Sequence, residues 1–128
     1  MDKNEKKFLL LNDIDAYKIS LNLSNYVWDI VVEWEWFAKK TIGSQFVNAV
    51  DSISANIAEG FGRYGKKDKI KFYRYSQGSI KECYDWNEKA KYRKLISQET
   101  YLYILTELKK IEPALGWLIK YTNEKFKY

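Results

Sequence analysis

The stretch Thr41-Ile42-Gly43-Ser44-Gln45-Phe46-Val47-Asn48-Ala49-Val50-Asp51-Ser52-Ile53-Ser54-Ala55-Asn56-Ile57-Ala58-Glu59-Gly60-Phe61-Gly62 decides the fold. Ile42, Phe46, Ala49, Val50, Ile53 and Ile57 recur at the three- and four-residue steps of one helix face. Beside that stripe runs a polar strip of Asn48, Ser52, Asn56 and Glu59. The pattern predicts a helix over about 41–61. It should close at Gly60 and Gly62, because glycine takes the left-handed C-cap conformation without steric cost.

The flanking segments repeat the same periodicity. A first helix is expected over about 13–37, with Asn12 and Asp13 as capping residues at its start. Tyr17, Leu21, Ser24, Trp28, Val31 and Val32 form one face of it. Ile19, Leu23, Tyr26, Ile30, Trp34 and Phe37 form a second, opposed face. A third helix over about 67–93 puts Ile70, Tyr73, Ile80 and Tyr84 inward, with Phe72, Cys83 and Ala90 flanking. A fourth over about 98–126 follows a near-heptad stripe from Tyr101 to Thr122. Pro113 should kink it, since proline lacks the amide hydrogen and clashes with the preceding turn. Tyr103, Ala114, Trp117 and Tyr121 form a separate strip on this helix.

Breaks near 38–41, 61–66 and 94–98 leave connections of about four to six residues, too short for anything but antiparallel neighbours. No segment alternates like a surface strand. The expected fold is all-α, an antiparallel up-down-up-down four-helix bundle, with residues 1–128 as a single domain.

Composition excludes several function classes. There is no histidine and only one cysteine, Cys83, so His triads, the usual zinc sites and an internal disulfide are out. Catalysis would have to rest on carboxylates, Lys or Tyr, and no spacing marks a carboxylate pair. No catalytic residue, metal or cofactor is expected. The start, MDKNEKK, has no apolar run followed by a small-residue cleavage site. No apolar stretch approaches the roughly 20 residues of a membrane span. A cytoplasmic protein without membrane contact is expected.

Gly60-Phe61-Gly62-Arg63-Tyr64-Gly65 matches the letters of a dinucleotide-binding loop, but that loop follows a strand. Here the preceding residues have helical periodicity, so a helix end and turn is the better reading. Arg63, Lys66, Lys67, Lys69, Lys71 and Arg74 put six positive charges in twelve residues, and Asp68 leaves +5, equal to the net charge of the whole chain. Tyr64, Phe72, Tyr73 and Tyr75 are interleaved. Cations neutralise phosphates and rings stack on unpaired bases. The six cations are the candidate nucleic-acid contacts; the bland alternative is a solvated helix start. Ser52, Asn56, Glu59, Gly78, Ser79 and Glu82 read as a structural group hydrogen-bonding between helices or subunits. A Glu59–Glu82 acid–base or metal pair is the sharper alternative.

Residues Ser52 to Arg63 read S-I-S-A-N-I-A-E-G-F-G-R; Phe72-Tyr73-Arg74-Tyr75 and Gly78-Ser79-Ile80-Lys81-Glu82 follow. This order resembles the four-helix-bundle proteins named after intervening sequences in bacterial 23S ribosomal RNA genes. It departs where Gly43-Ser44-Gln45 shortens the family's Gly-Leu-x-x-Gln, and where Ser76-Gln77 replaces the alanine before Gly-Ser. The family is similar in fold to accessory proteins of diversity-generating retroelements, which are pentamers that bind a reverse transcriptase and nucleic acid.

Two readings result. One is a non-enzymatic, basic, nucleic-acid-binding homo-oligomer, accessory to an RNA or DNA. The other is a protein-interaction scaffold, accessory to a reverse transcriptase, without direct nucleic-acid contact. Both require self-association, because the opposed faces of the first helix cannot both enter one core. Trp34, Tyr103, Trp117 and Tyr121 are the expected interface, and the resemblance implies five subunits.

Overall fold

In a computed structural model that describes residues 9–128, four long helices form a bundle: α1 (Asp15–Val31), α3 (Ser44–Gly62), α4 (Lys66–Tyr92) and α5 (Gln98–Lys125). A short helix α2 (Trp36–Ala38) and a π-helical turn (Lys39–Gly43) lead into α3. No strand occurs among the described residues. Met1 to Phe8, where no leader sequence was expected, lie outside them.

The register is antiparallel throughout. Ser76 Oγ of α4 donates to the Ile53 carbonyl of α3 at 2.7 Å, and one turn back on α4 Tyr73 meets Gly60, further along α3. Asn87 of α4 donates to the Tyr101 carbonyl of α5 at 3.2 Å, while the earlier Lys81 reaches the later Glu112. Ser24 of α1 donates to Asp51 of α3, and the later Val31 packs on the earlier Gly43. Each long helix packs against two others: α1 and α4 both lie between α3 and α5.

The core stripe of α3 is as its spacing predicts, with Ile42, Phe46, Ala49, Val50, Ile53 and Ile57 all buried. The α1 core is different from either face expected. Its buried line is Ala16, Ser20, Leu23, Ser24, Val27 and Val31, between the two apolar arcs. Small residues here let α1 approach closely and leave its larger rings on the flanks. Trp34, expected at a subunit interface, is instead a core residue at 9% exposure, packed over Gly43.

The first break also falls earlier than 38–41. α1 stops at Val31, and Glu35 caps the next helix, its carboxylate accepting the Phe37 and Ala38 amides at 2.9 and 2.8 Å. Two otherwise orphaned amides are thereby satisfied, and helix runs on from Trp36 through the expected break. Asn12 and Asp13 do not cap α1. They form a 3-10 turn in which Asp13 accepts the Leu10 amide at 3.0 Å.

α3 ends without a left-handed glycine. Arg63 is extended at φ −75°, ψ 152°, and no described glycine has positive φ. Among the described residues the one in the left-handed region is Lys94, at φ 60° after α4. There the Leu95 amide bonds the Ala90 carbonyl (2.9 Å) and the Lys94 amide bonds that of Lys91 (3.0 Å). This is a Schellman closure, with lysine where glycine is usual. α5 begins on Ser97, whose hydroxyl accepts the Thr100 amide at 3.0 Å, and it continues through Pro113.

Candidate nucleic-acid interface

The turn between α3 and α4 carries the basic cluster, and the structure divides its six cations by role. Lys69 does not face solvent. Its ammonium donates to the Phe61 carbonyl at 2.7 Å and lies over the rings of Phe61 (5.5 Å) and Phe126 (5.2 Å). The residue is only 8% exposed, and burial pulls its pKa below the ordinary lysine value. Lys69 is a cap on the α3 C-terminus, where carbonyls lack intrahelical donors, and is withdrawn as a phosphate contact.

Arg63 pairs with Glu59 (3.0 Å) and Asp68 (3.8 Å) and lies 4.6 Å from the Phe72 ring centre. Lys71 pairs with Asp68 at 3.4 Å. Lys66 donates to the Asn123 carbonyl at 3.1 Å, near the end of α5. Arg74 bonds Gln77 at 3.1 Å. Lys67 is exposed, with no acidic partner among the described residues. Solvent-exposed Arg and Lys pairs of this kind hold their side chains weakly, so Arg63, Lys71, Lys67 and Arg74 can still turn toward a ligand. Tyr64 beside them is 95% exposed.

The polar motif residues bond mostly within their own helices. Ser52 donates to the Asn48 carbonyl (2.7 Å) and Asn56 to the Ser52 carbonyl (2.9 Å). Glu59 takes Arg63, and Glu82 accepts the Trp86 indole N–H at 3.0 Å. The helix-to-helix bonds expected of this group are made by Ser76, Asn87, Ser24 and Tyr84; the sequence pattern puts Ser24 and Tyr84 on helix faces but marks none of the four as a bonding residue. Gly60 has a steric purpose: a Cβ there would stand 2.7 Å from Tyr73 Cε1 and 2.9 Å from the Lys69 carbonyl. Gly78 is exposed and Ser79 half-buried, and nothing stands within 4 Å of a Cβ built on Gly78. Cys83 is buried, and burial pushes its thiol well above the ordinary range, leaving it inert. Among the described residues, no three His, Cys, Asp or Glu side chains gather as a metal site. No described helix is long and apolar enough to cross a membrane.

A second basic region lies at the opposite end of the bundle. Its cations come from two distant segments, Lys39–Lys40 and Lys89–Lys94; the second is itself a basic run in the sequence, but no one window holds both. Lys40, Thr41, Ile42 and Gln45 face Trp86, Lys89 and Arg93 across an open groove of about 430 Å³. Lys89 is paired with Asp85 at 2.5 Å; Lys40 and Arg93 form no ion pair with a described residue. Lys40 sits 4.8 Å from the Trp36 ring centre and Lys89 4.6 Å from that of Trp86.

Aromatic side chains also remain on the bundle flanks. Tyr26 and Tyr103 meet at 4.5 Å across α1 and α5, and Trp117 stacks on Tyr121 at 5.0 Å. Trp117 is 55% exposed. On the α1–α3 side, Trp28, Val32 and Val47 line a shallow groove.

Comparison with known proteins agrees with this architecture. The sequence profile of a family described as 23S rRNA-intervening sequence protein matches residues 12–116. A solved structure, a protein of unknown function from the S23 ribosomal protein family of Bacteroides thetaiotaomicron VPI-5482, superposes with a TM-score of 0.72 at 20% identity. The match covers 81% of this chain and 97% of that one, a likeness of fold. No curated protein matches the sequence.

Proposed function

This chain belongs to the 23S rRNA-intervening sequence protein family, and from that premise we propose that it is a non-catalytic, self-associating bundle that binds nucleic acid through basic surfaces. The observation that carries the reading is the placement of charge. Lys66 and Lys67 start α4. Cations there oppose the helix macrodipole and cost stability. A surface charged against local electrostatics, beside exposed rings, suits a polyanion with unpaired bases.

The test is binding of generic RNA and DNA across a salt series. Affinity should fall steeply with salt, because each neutralised phosphate releases counterions. Changing Lys67, Lys71 and Arg74 together to Glu should weaken binding at least tenfold while helicity is retained. Absence of binding at low salt would sink the reading.

A specific observation supports the scaffold alternative as well. The Tyr26–Tyr103 and Trp117–Tyr121 pairs offer ring surface of the kind enriched in protein interfaces. The first occupant of that flank is a second copy of the chain. A reverse transcriptase, which the family resemblance implies, is the further protein partner. Nucleic-acid binding and assembly are compatible, since repeated subunits multiply weak contacts.

A further inference from the structure

We propose that the groove between Lys40 and Trp86 is a binding site for a single nucleic-acid strand, with Trp86 as the stacking surface and Lys40 and Arg93 as phosphate contacts. It rests on the nucleic-acid reading above and gives it a place that the sequence cluster at Arg63–Arg74 does not.

Three features of the groove support this assignment. First, it is chemically mixed in the way a nucleotide needs. Lys40, Lys89 and Arg93 supply positive charge, Trp86 an aromatic wall, and Thr41 and Gln45 uncharged donors and acceptors for base edges. An acidic peptide would use the cations but would have no need of the indole wall.

Second, the backbone that carries the groove is irregular on its α3 side. Lys39–Gly43 is a π-helical turn, a geometry that recurs at functional sites. Next to Arg93, though not lining the groove, Lys94 occupies the left-handed position of the Schellman closure.

Third, the surroundings leave the site usable. Glu82 is occupied by the Trp86 N–H and Asp85 by Lys89, so both nearby carboxylates have partners. Lys40 and Arg93 have no acidic partner among the described residues, and Lys40 lies over the Trp36 ring. Lys89 lies over the indole at 4.6 Å, where an aromatic base would stack. A base taking that place displaces the ammonium outward, toward a phosphate. Trp36 and Tyr92, the latter 86% exposed, extend the ring surface at the same end of the bundle.

The experiment measures anisotropy of labelled oligouridylate of about 20 nucleotides, long enough for one such site, against an RNA duplex of equal length. Trp86→Ala should lower single-strand affinity about tenfold and leave duplex affinity unchanged, because only unpaired bases can stack. Trp86→Phe keeps a ring and should restore most of the loss. Lys40→Gln with Arg93→Gln should weaken both ligands and flatten the salt dependence. If these variants bind as wild type does while the Lys67, Lys71 and Arg74 variant fails, the groove is not the site. If labelled polyglutamate binds as well as oligouridylate and ignores Trp86→Ala, the groove is a peptide surface and the proposal falls. If the wild type binds neither nucleic acid, the broader reading falls with it.

Discussion

The Lys69 ammonium donates to the carbonyl of Phe61 at 2.7 Å, closing the end of α3 from the first turns of α4. A lysine inside a basic run thus belongs to the fold, while its neighbours belong to the surface. The two roles separate by experiment. Lys69→Met keeps the aliphatic stem but orphans the carbonyl, and should cost about 1–2 kcal/mol of stability. Its salt dependence of nucleic-acid binding should match wild type. Lys67→Met should do the reverse, leaving stability within about 0.5 kcal/mol and reducing the salt slope by about one. Denaturant melts paired with a salt titration read both quantities.

Glycines in this chain divide the same way. A Cβ on Gly60 would meet Tyr73 at 2.7 Å, and Tyr73 is itself fully buried. Gly60→Ala must push α3 and α4 apart and should destabilise by about 1–3 kcal/mol. At Gly78, exposed within α4 with open space around it, the same change should stabilise the chain by about 1 kcal/mol through helix propensity. Urea unfolding of the two variants decides it; equal effects would mean that the α3–α4 approach is not set by Gly60.

The helical class and the α3 core stripe were legible because Phe46, Val50, Ile53 and Ile57 mark a face by size as well as spacing. The α1 stripe was not, because its buried line runs through Ala16, Ser20 and Ser24 while larger residues flank it. Hydrophobicity then points to either side of the true contact. Trp34 was misplaced for a related reason: a large ring reads equally as core or interface until its neighbours are known. Charge runs were visible as runs, but which member turns inward depends on a carbonyl eight residues earlier in the chain. The groove at Lys40 and Trp86 was invisible because folding joins two segments some forty residues apart.

Glu112 gives the fold a pH dependence. Its carboxylate accepts from the Tyr84 hydroxyl and, at 3.1 Å, from Lys81. The tyrosine bond first, then the lysine, holds its pKa below the ordinary carboxylate value. A depressed folded pKa stabilises above the unfolded value, and that gain is lost as pH falls through the folded pKa. Glu112→Gln should therefore cost about 1 kcal/mol at pH 7, a charged hydrogen bond discounted for its partial exposure. The gap should close as pH falls below about 4.

At alkaline pH the sign reverses, because tyrosines are held protonated. Burial raises Tyr73 to about 12, and burial followed by the Glu112 bond raises Tyr84. Glu88 chiefly raises Tyr101. Stability present below pH 10 should decline above it, as unfolded tyrosines ionise first. Chemical denaturation across both limbs tests these signs, and a flat alkaline limb would show the hydroxyls ionising in place.

The proposed self-association makes a prediction about one flank of the bundle. Trp117 stacks on Tyr121 yet remains more than half exposed, and Tyr103 lies on the same α1–α5 side against Tyr26. Exposed aromatic surface of this extent favours a partner copy, and identical subunits most often close into symmetric assemblies. Light scattering at micromolar concentration should give a mass several times 15.3 kDa, and about five times if the ring implied by the family resemblance forms. Trp117→Glu places a charge in that contact and should return the mass to a single chain without loss of helicity. Trp28→Glu, on the α1–α3 side, serves as the control and should leave the assembly intact. A wild-type mass of one chain would remove the need for any partner on this flank. Dissociation by Trp28→Glu, with Trp117→Glu assembling normally, would move the interface to the opposite side of α1.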